Sequence, residues 1–169
     1  MKTETQLDPD LKKLSELIKG ISYAMLTTQE ADGTLHSRPM QTEEMQSDGT
    51  LLFITSASSA KAQELDVFPK VSLTYMSKDA SICVAVAGHG HTYRDMEILK
   101  QLWKPLYKAW FPKGLEDPDV TLLEVKIDRA EYWQSPSSAV VRIFGAAKAL
   151  LTGQTVAETV GAHEQIKGR

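Results

Sequence analysis

Two Asp-Gly pairs, in "EADGTL" and "QSDGTL", each stand between runs rich in apolar and β-favouring residues. Asp-Gly in that setting signals a hairpin, because both turn positions tolerate positive φ. Two hairpins in succession constrain the fold strongly: strands near 21–29, 34–44 and 50–56 run as an antiparallel meander. The repeated "DGTL" is turn chemistry used twice rather than a structural repeat. Alternation adds further strands. "KVSLTYMS" sets Val71, Leu73 and Tyr75 against Ser72, Thr74 and Ser77. "VTLLEVKID" sets Leu123, Val125 and Ile127 inward and Glu124, Lys126 and Asp128 outward, and "RAEYWQS" continues or pairs with it. "ASICVAVAGHGHTY" is a long strand with small residues on both faces, where Gly88 and Gly90 mark a bulge or a close approach of another backbone.

Helices sit at the ends and between the strands. "LDPDLKKLSELIKG" predicts a helix over 8–19, with Asp8 as cap, Pro9 at the first position and Gly20 at the stop. Its Leu7, Leu11, Leu14, Leu17 and Ile18 share one stripe. "AKAQELDVF" is a short helix ended by Pro69, and Pro105 divides the aromatic segment "RDMEILKQLWKPLYKAWF" in two. "SPSSAVVRIFGAAKALLTG" reads as a helix to about Leu151, and 154–169 as a loose polar tail. About six antiparallel strands with these helices make an α+β, mainly β, barrel-like fold. Residues 1–169 are expected to form a single domain with 8–153 as its structured core.

Several function classes drop out. A net charge of −3 opposes a general nucleic-acid binder, which needs a basic excess. The N-terminus lacks the apolar core of a signal peptide and no run reaches membrane-spanning length, so the expectation is cytoplasmic with no membrane partner. The single Cys83 excludes an intramolecular disulfide and reads as a small buried hydrophobe. His89 and His91 share a strand face, but no Cys or carboxylate cluster accompanies them, so no metal is expected. "AGHGHTYRD" lacks the third glycine and the βαβ setting of a dinucleotide fingerprint.

Two stretches carry chemistry. In "LHSRPMQ", Arg38 precedes Pro39, a residue that forfeits a ladder hydrogen bond and so marks an edge or an interruption. An arginine there either faces water or presents its planar fork to a phosphate. "FITSASSAK" runs from a strand through hydroxyls to a lysine. Thr55, Ser58 and Ser59 offer donors, and the helix start offers free backbone N–H groups; equally, serines are common at helix starts. Lys61 in the first helical turn is electrostatically misplaced unless something negative lies nearby. Arg38 and Lys61 together suit one dianionic phosphate, hence a phosphate-tipped cofactor.

The stretches "DGTLHSRPM", "LLFITSASSAKAQEL", "KVSLTY", "WKPLYKAWFPKGLEDPDVTLLEVKIDRAEYW" and "SPSSAVVRIFGAAKALLTG" resemble the general stress protein 26 branch of the pyridoxamine 5′-phosphate oxidase-like proteins. The resemblance covers about residues 8 to 153. It implies a six-stranded antiparallel FMN-binding split β-barrel, with FMN as cofactor. Carried over by position, it puts Arg38 at the FMN phosphate. Phe53, Ile54, Thr55 and the Ser58–Ser59 turn then run along the flavin to Lys61 at the phosphate. Pro39 and Met40 border the isoalloxazine. The sites lie at a homodimer interface, with Trp110 and Phe111 of "KAWFP" reaching the partner's flavin. Trp103 and Tyr107 read as core. The chain departs from true oxidases in having Lys61 alone where two basic residues are usual, and in ending without the family's basic substrate segment. Oxidation of pyridoxamine 5′-phosphate is therefore not expected. Two readings stand: an FMN-dependent oxidoreductase taking hydride from NADH, NADPH or a small substrate, and a stress-related flavin-binding or sensing module without turnover. No evident acid–base residue flanks the site; His36, on the same strand face as Arg38, comes nearest.

Overall fold

Both Asp-Gly turns form in the computed structural model, which describes residues 9–79, 81–134 and 162–167. They join β1 (Tyr23–Gln29) to β2 (Leu35–Gln41) and β3 (Glu44–Met45) to β4 (Leu51–Ser56). The two are built alike. Thr34 N–H donates to Asp32 Oδ1 at 2.8 Å and Thr50 N–H to Asp48 Oδ1 at 3.0 Å. The glycine of each pair takes positive φ, 89° at Gly33 and 88° at Gly49. The second strand, expected over 34–44, is interrupted at Thr42 and Glu43, which leaves β3 as a two-residue fragment.

The remaining strands are β5 (Lys70–Met76), β6 (Ile82–Tyr93), β7 (Val120–Gln134) and β8 (Ala162–Lys167). They form one antiparallel sheet in the order β2-β1-β5-β6-β7-β4-β3, with β8 also on β7. The two hairpins and the alternating strands are as the sequence predicts, and "RAEYWQS" continues β7, but the expected meander is broken: β2 and the β3–β4 hairpin stand at opposite ends of the strand order. The strand count also differs: eight are described where about six were expected. The loose tail expected over 154–169 needs correction, because 162–167 pairs with β7 from Arg129↔Lys167 to Gln134↔Ala162. The reason lies in β7, whose 15 residues outrun β4. Its first half pairs Leu51–Ser56, and β8 takes the edge left open beyond. Ile166, in an otherwise polar stretch, joins the core at 2% exposure. The helix expected to about Leu151 lies outside the described residues.

Helix α1 (Pro9–Ile18) lays Leu14, Leu17 and Ile18 on the core, as its apolar stripe requires. Helix α2 (Ala60–Val67) follows β4. Helix α3 (Met96–Leu102) is capped by Asp95, whose carboxylate accepts from the N–H groups of Glu97 and Ile98. Pro105 opens a separate 3-10 turn, Pro105–Ala109. None of the described helices is long and apolar enough to cross a membrane.

The sheet curls around Leu26, Phe53, Leu73, Tyr75, Val84, Leu123 and Val125, all fully buried. A second cluster sits beneath α3, where Leu99, Tyr107 and Phe111 meet Val120, Leu122 and Ile54. Strand β4 thus has apolar packing on both faces, Phe53 into the barrel and Ile54 the other way. The curl brings β2 against β4 without a ladder between them. That seam is the split in the barrel, and it positions the site.

Candidate functional site

A cavity of about 550 Å³ opens at this seam. Strand β2 lines it with Pro39, Met40 and Gln41, and β4 with Ile54, Thr55 and Ser56. Helix α2 contributes Lys61, the 3-10 turn and its end contribute Tyr107, Trp110 and Phe111, and Tyr23 and Asp119 complete it. Pro39, Met40, Ile54, Thr55 and Lys61 are therefore brought together, as expected from sequence, and Trp110 and Phe111, expected to reach a partner's flavin, line this chain's own cavity beside them. Arg38, Phe53, Ser58 and Ser59 are not in the lining.

Each of those four has a physical reason. Phe53 alternates into the barrel core and is fully buried. Ser58 donates its backbone N–H to Asp119 Oδ1 at 2.7 Å and its hydroxyl to Asp119 Oδ2 at 3.0 Å, with the Ser56 hydroxyl on the same carboxylate. The Ser59 hydroxyl donates to the Ser56 carbonyl at 2.6 Å. The hydroxyl-rich turn is thus spent largely on fastening itself to Asp119. Arg38 is engaged by α2 and β1 instead. It donates to Glu64 Oε2 at 3.0 Å and to the Thr28 hydroxyl, and the side chains of Arg38 and Glu64 are only 16% and 11% exposed.

Lys61 is half-buried at the cavity wall and, among the described residues, has no ion-pair partner. Burial lowers its pKa, the nearby Arg38 guanidinium lowers it further, and Glu64 opposes both. Burial alone would push the Glu64 carboxyl up. The hydrogen bonds from Thr28 and Arg38 and the guanidinium charge outweigh it and hold it below the usual carboxylate range.

Some functional residues escaped the sequence reading. Tyr107, read as core, also borders the cavity, and its hydroxyl donates to Glu43. Glu43 has a side chain only 1% exposed, with Lys104 Nζ at 2.7 Å from Oε2. Burial and then Glu43 push the Tyr107 phenol up, so it stays protonated. Glu43 lies in the interruption between β2 and β3, which no periodic pattern marks. Asp119 was equally invisible; the Ser56 hydroxyl and then the Ser58 N–H hold its carboxyl below the usual range. Its loop is clamped by Arg94, which donates to the carbonyls of Leu115, Asp117, Pro118 and Val120. Arg94 is therefore a loop clamp rather than a free solvent cation.

The histidines lie elsewhere. His89 pairs with Asp128 at 2.8 Å, His91 stacks on Tyr93, and His36 sits 3.1 Å from Glu30. Glu30, His36 and Glu64 bring potential ligand atoms within 4.8 Å of one another, and the Arg38 guanidinium already pairs with Glu64 of that group.

The family described as pyridoxamine 5′-phosphate oxidase like matches the chain over residues 9–157. A relative named Protein bli-3, from Neurospora crassa, is 28% identical over 162 residues, covering 90% of this chain and 78% of its own. The solved general stress FMN/FAD binding protein of Xanthomonas citri is 28% identical, with a TM-score of 0.66 over 76% of this chain and 90% of its own. The General Stress Protein 26 of Bacillus anthracis superposes with a TM-score of 0.65 at 24% identity, over 72% of this chain and 92% of its own, which speaks for the fold.

Proposed function

We propose, for a chain that belongs to the pyridoxamine 5′-phosphate oxidase like family, that the cavity at the barrel seam takes a flavin, and that the flavin is FMN. The observation that carries this reading is the pairing of largely apolar walls with one lining cation, Lys61, that has no direct ion pair among the described residues. Pro39, Ile54, Tyr23, Trp110 and Phe111 suit a planar aromatic ring. Lys61 suits a terminal phosphate, whose arrival would offset its cost of burial. Asp119 gives the lining a negative charge and so leaves the anionic end of a ligand to Lys61. The Tyr107 phenol, fixed on Glu43, forms a rigid and neutral part of the wall.

When bound, a flavin supplies hydride or single-electron transfer, and the protein contributes its position and electrostatics. Whether turnover follows is read from colour. FMN-loaded protein whose visible absorbance bleaches with NADH or NADPH is an oxidoreductase; one that stays yellow is a holder or sensor of the flavin. Lys61→Ala is expected to weaken FMN binding at least tenfold, about 1.4 kcal/mol, in a fluorescence titration. It should leave riboflavin binding nearly unchanged. Equal losses for both ligands would remove Lys61 from the phosphate.

The same reading includes a homodimer. Tyr23, Met25 and Met76 stand 59%, 43% and 57% exposed on the outer face of β1 and β5, and Trp110 beside the cavity is 66% exposed. An apolar patch of this kind, continuous with the site through Tyr23, supports a two-fold interface. Sedimentation at micromolar concentration should give a dimer, and a monomer would count against this arrangement.

A further inference from the structure

Resting on the anionic-ligand reading above, we propose that Glu64 sets a charge threshold for this site, holding Arg38 in reserve until a dianionic terminus draws it away. Lys61 and Glu64 are one turn apart on α2, so one carboxylate outside the cavity lining pairs directly with Arg38 and also acts electrostatically on Lys61. Lys61 faces the ligand space, whereas Arg38 is held behind it on Glu64.

The hydrogen bonds make the arrangement exchangeable. The Thr28 hydroxyl, 1% exposed, accepts from Arg38 Nη1 and itself donates to Glu64 Oε2. When Arg38 departs, Glu64 keeps the Thr28 hydrogen bond and stays in place. Its charge then repels any incoming anion, and only the anion's attraction to both cations offsets this. A phosphomonoester dianion has charge enough to recruit the guanidinium with a bidentate contact. A carboxylate or a neutral ligand meets Lys61 alone. Glu64 is therefore a specificity-determining residue that never touches the ligand.

The test compares FMN, riboflavin and inorganic phosphate on the full chain and on Glu64→Gln. FMN binding is expected to tighten about tenfold in Glu64→Gln while riboflavin binding stays within twofold, so that discrimination between the two rises. Inorganic phosphate should raise the melting temperature of Glu64→Gln more than that of the parent chain. The phosphate arm does not depend on flavin. If no flavin binds yet phosphate still favours the variant, the flavin reading falls and the threshold stands. If FMN binds both proteins with the same preference over riboflavin, and phosphate stabilises both equally, the threshold is overturned and Glu64 is scaffold alone. Should Glu64→Gln fail to fold, the double variant Arg38→Met/Glu64→Leu restores packing without either charge. It should bind FMN through Lys61, at weaker affinity than the parent, whereas equal affinity would show that Arg38 is never recruited.

Discussion

Gly88→Ala will cost the fold about 3 kcal/mol, at the severe end of overpacking substitutions. A Cβ at this position falls 2.2 Å from the Lys126 carbonyl oxygen and 3.1 Å from its carbonyl carbon, with Val125 Cγ1 at 3.2 Å. These are mostly backbone atoms of the neighbouring strand, so no rotamer change relieves the clash. The site is where the β6–β7 register shifts between Ala87 and Gly88, and both alternatives that the sequence offers for Gly88, a bulge and a close backbone approach, meet there. Relief would mean separating β6 from β7, which are paired along nearly their whole lengths. Gly20→Ala is the matching control, since nothing lies within 4 Å of its Cβ, and it should stay within about 0.5 kcal/mol. Urea melts of both variants decide the matter. A Gly88→Ala protein as stable as the Gly20→Ala protein would mean that the two strands separate easily.

Arg38→Ala should cost about 2 kcal/mol at neutral pH, between the values typical of exposed and fully buried pairs. It leaves the Glu64 carboxylate, 11% exposed, with Thr28 as its remaining hydrogen-bond partner. The pH dependence follows from the Glu64 titration. In the parent chain its folded pKa lies below the unfolded value, so its contribution is fully present above the unfolded pKa and is lost as pH falls through the folded one. In Arg38→Ala the guanidinium that helps hold the Glu64 pKa down is gone while burial still opposes ionisation, so ionised Glu64 is less well supported at neutral pH and protonation relieves this. The gap between the two proteins should therefore narrow as pH drops through roughly 4 and close below the parent's folded pKa. Chemical denaturation at pH 7.5 and pH 4 measures both. A gap that is small at pH 7.5, or that widens in acid, would reduce the buried pair to an ordinary surface contact.

How much of this was legible in the sequence depends on the range of the interaction. The turns at Asp32-Gly33 and Asp48-Gly49, the alternation of β5 and of β7 and the bulge at Gly88 are local. Each is dictated by the φ a residue tolerates or by the two-residue period of a strand, so a few neighbouring letters suffice. The same holds for the apolar stripe of α1 and the break at Pro105. Five of the expected site residues, Pro39, Met40, Ile54, Thr55 and Lys61, line the cavity because the strands and helix carrying them form near their predicted positions and the family resemblance aligned them, whereas Trp110 and Phe111, expected to serve a partner's flavin, line this chain's own cavity. What no window of sequence contains is the partner of a polar group. Whether the Arg38 guanidinium faces a ligand or a carboxylate was decided by α2, 26 residues further along, which brings Glu64 to it. Asp119 captured the serines of the β4–α2 turn from 61 residues away, and β7 turned a polar tail into β8 because its open edge had unpaired backbone groups to offer. Charge pairing and ladder completion act through space at a few ångströms, and only the closed sheet determines which groups are that near.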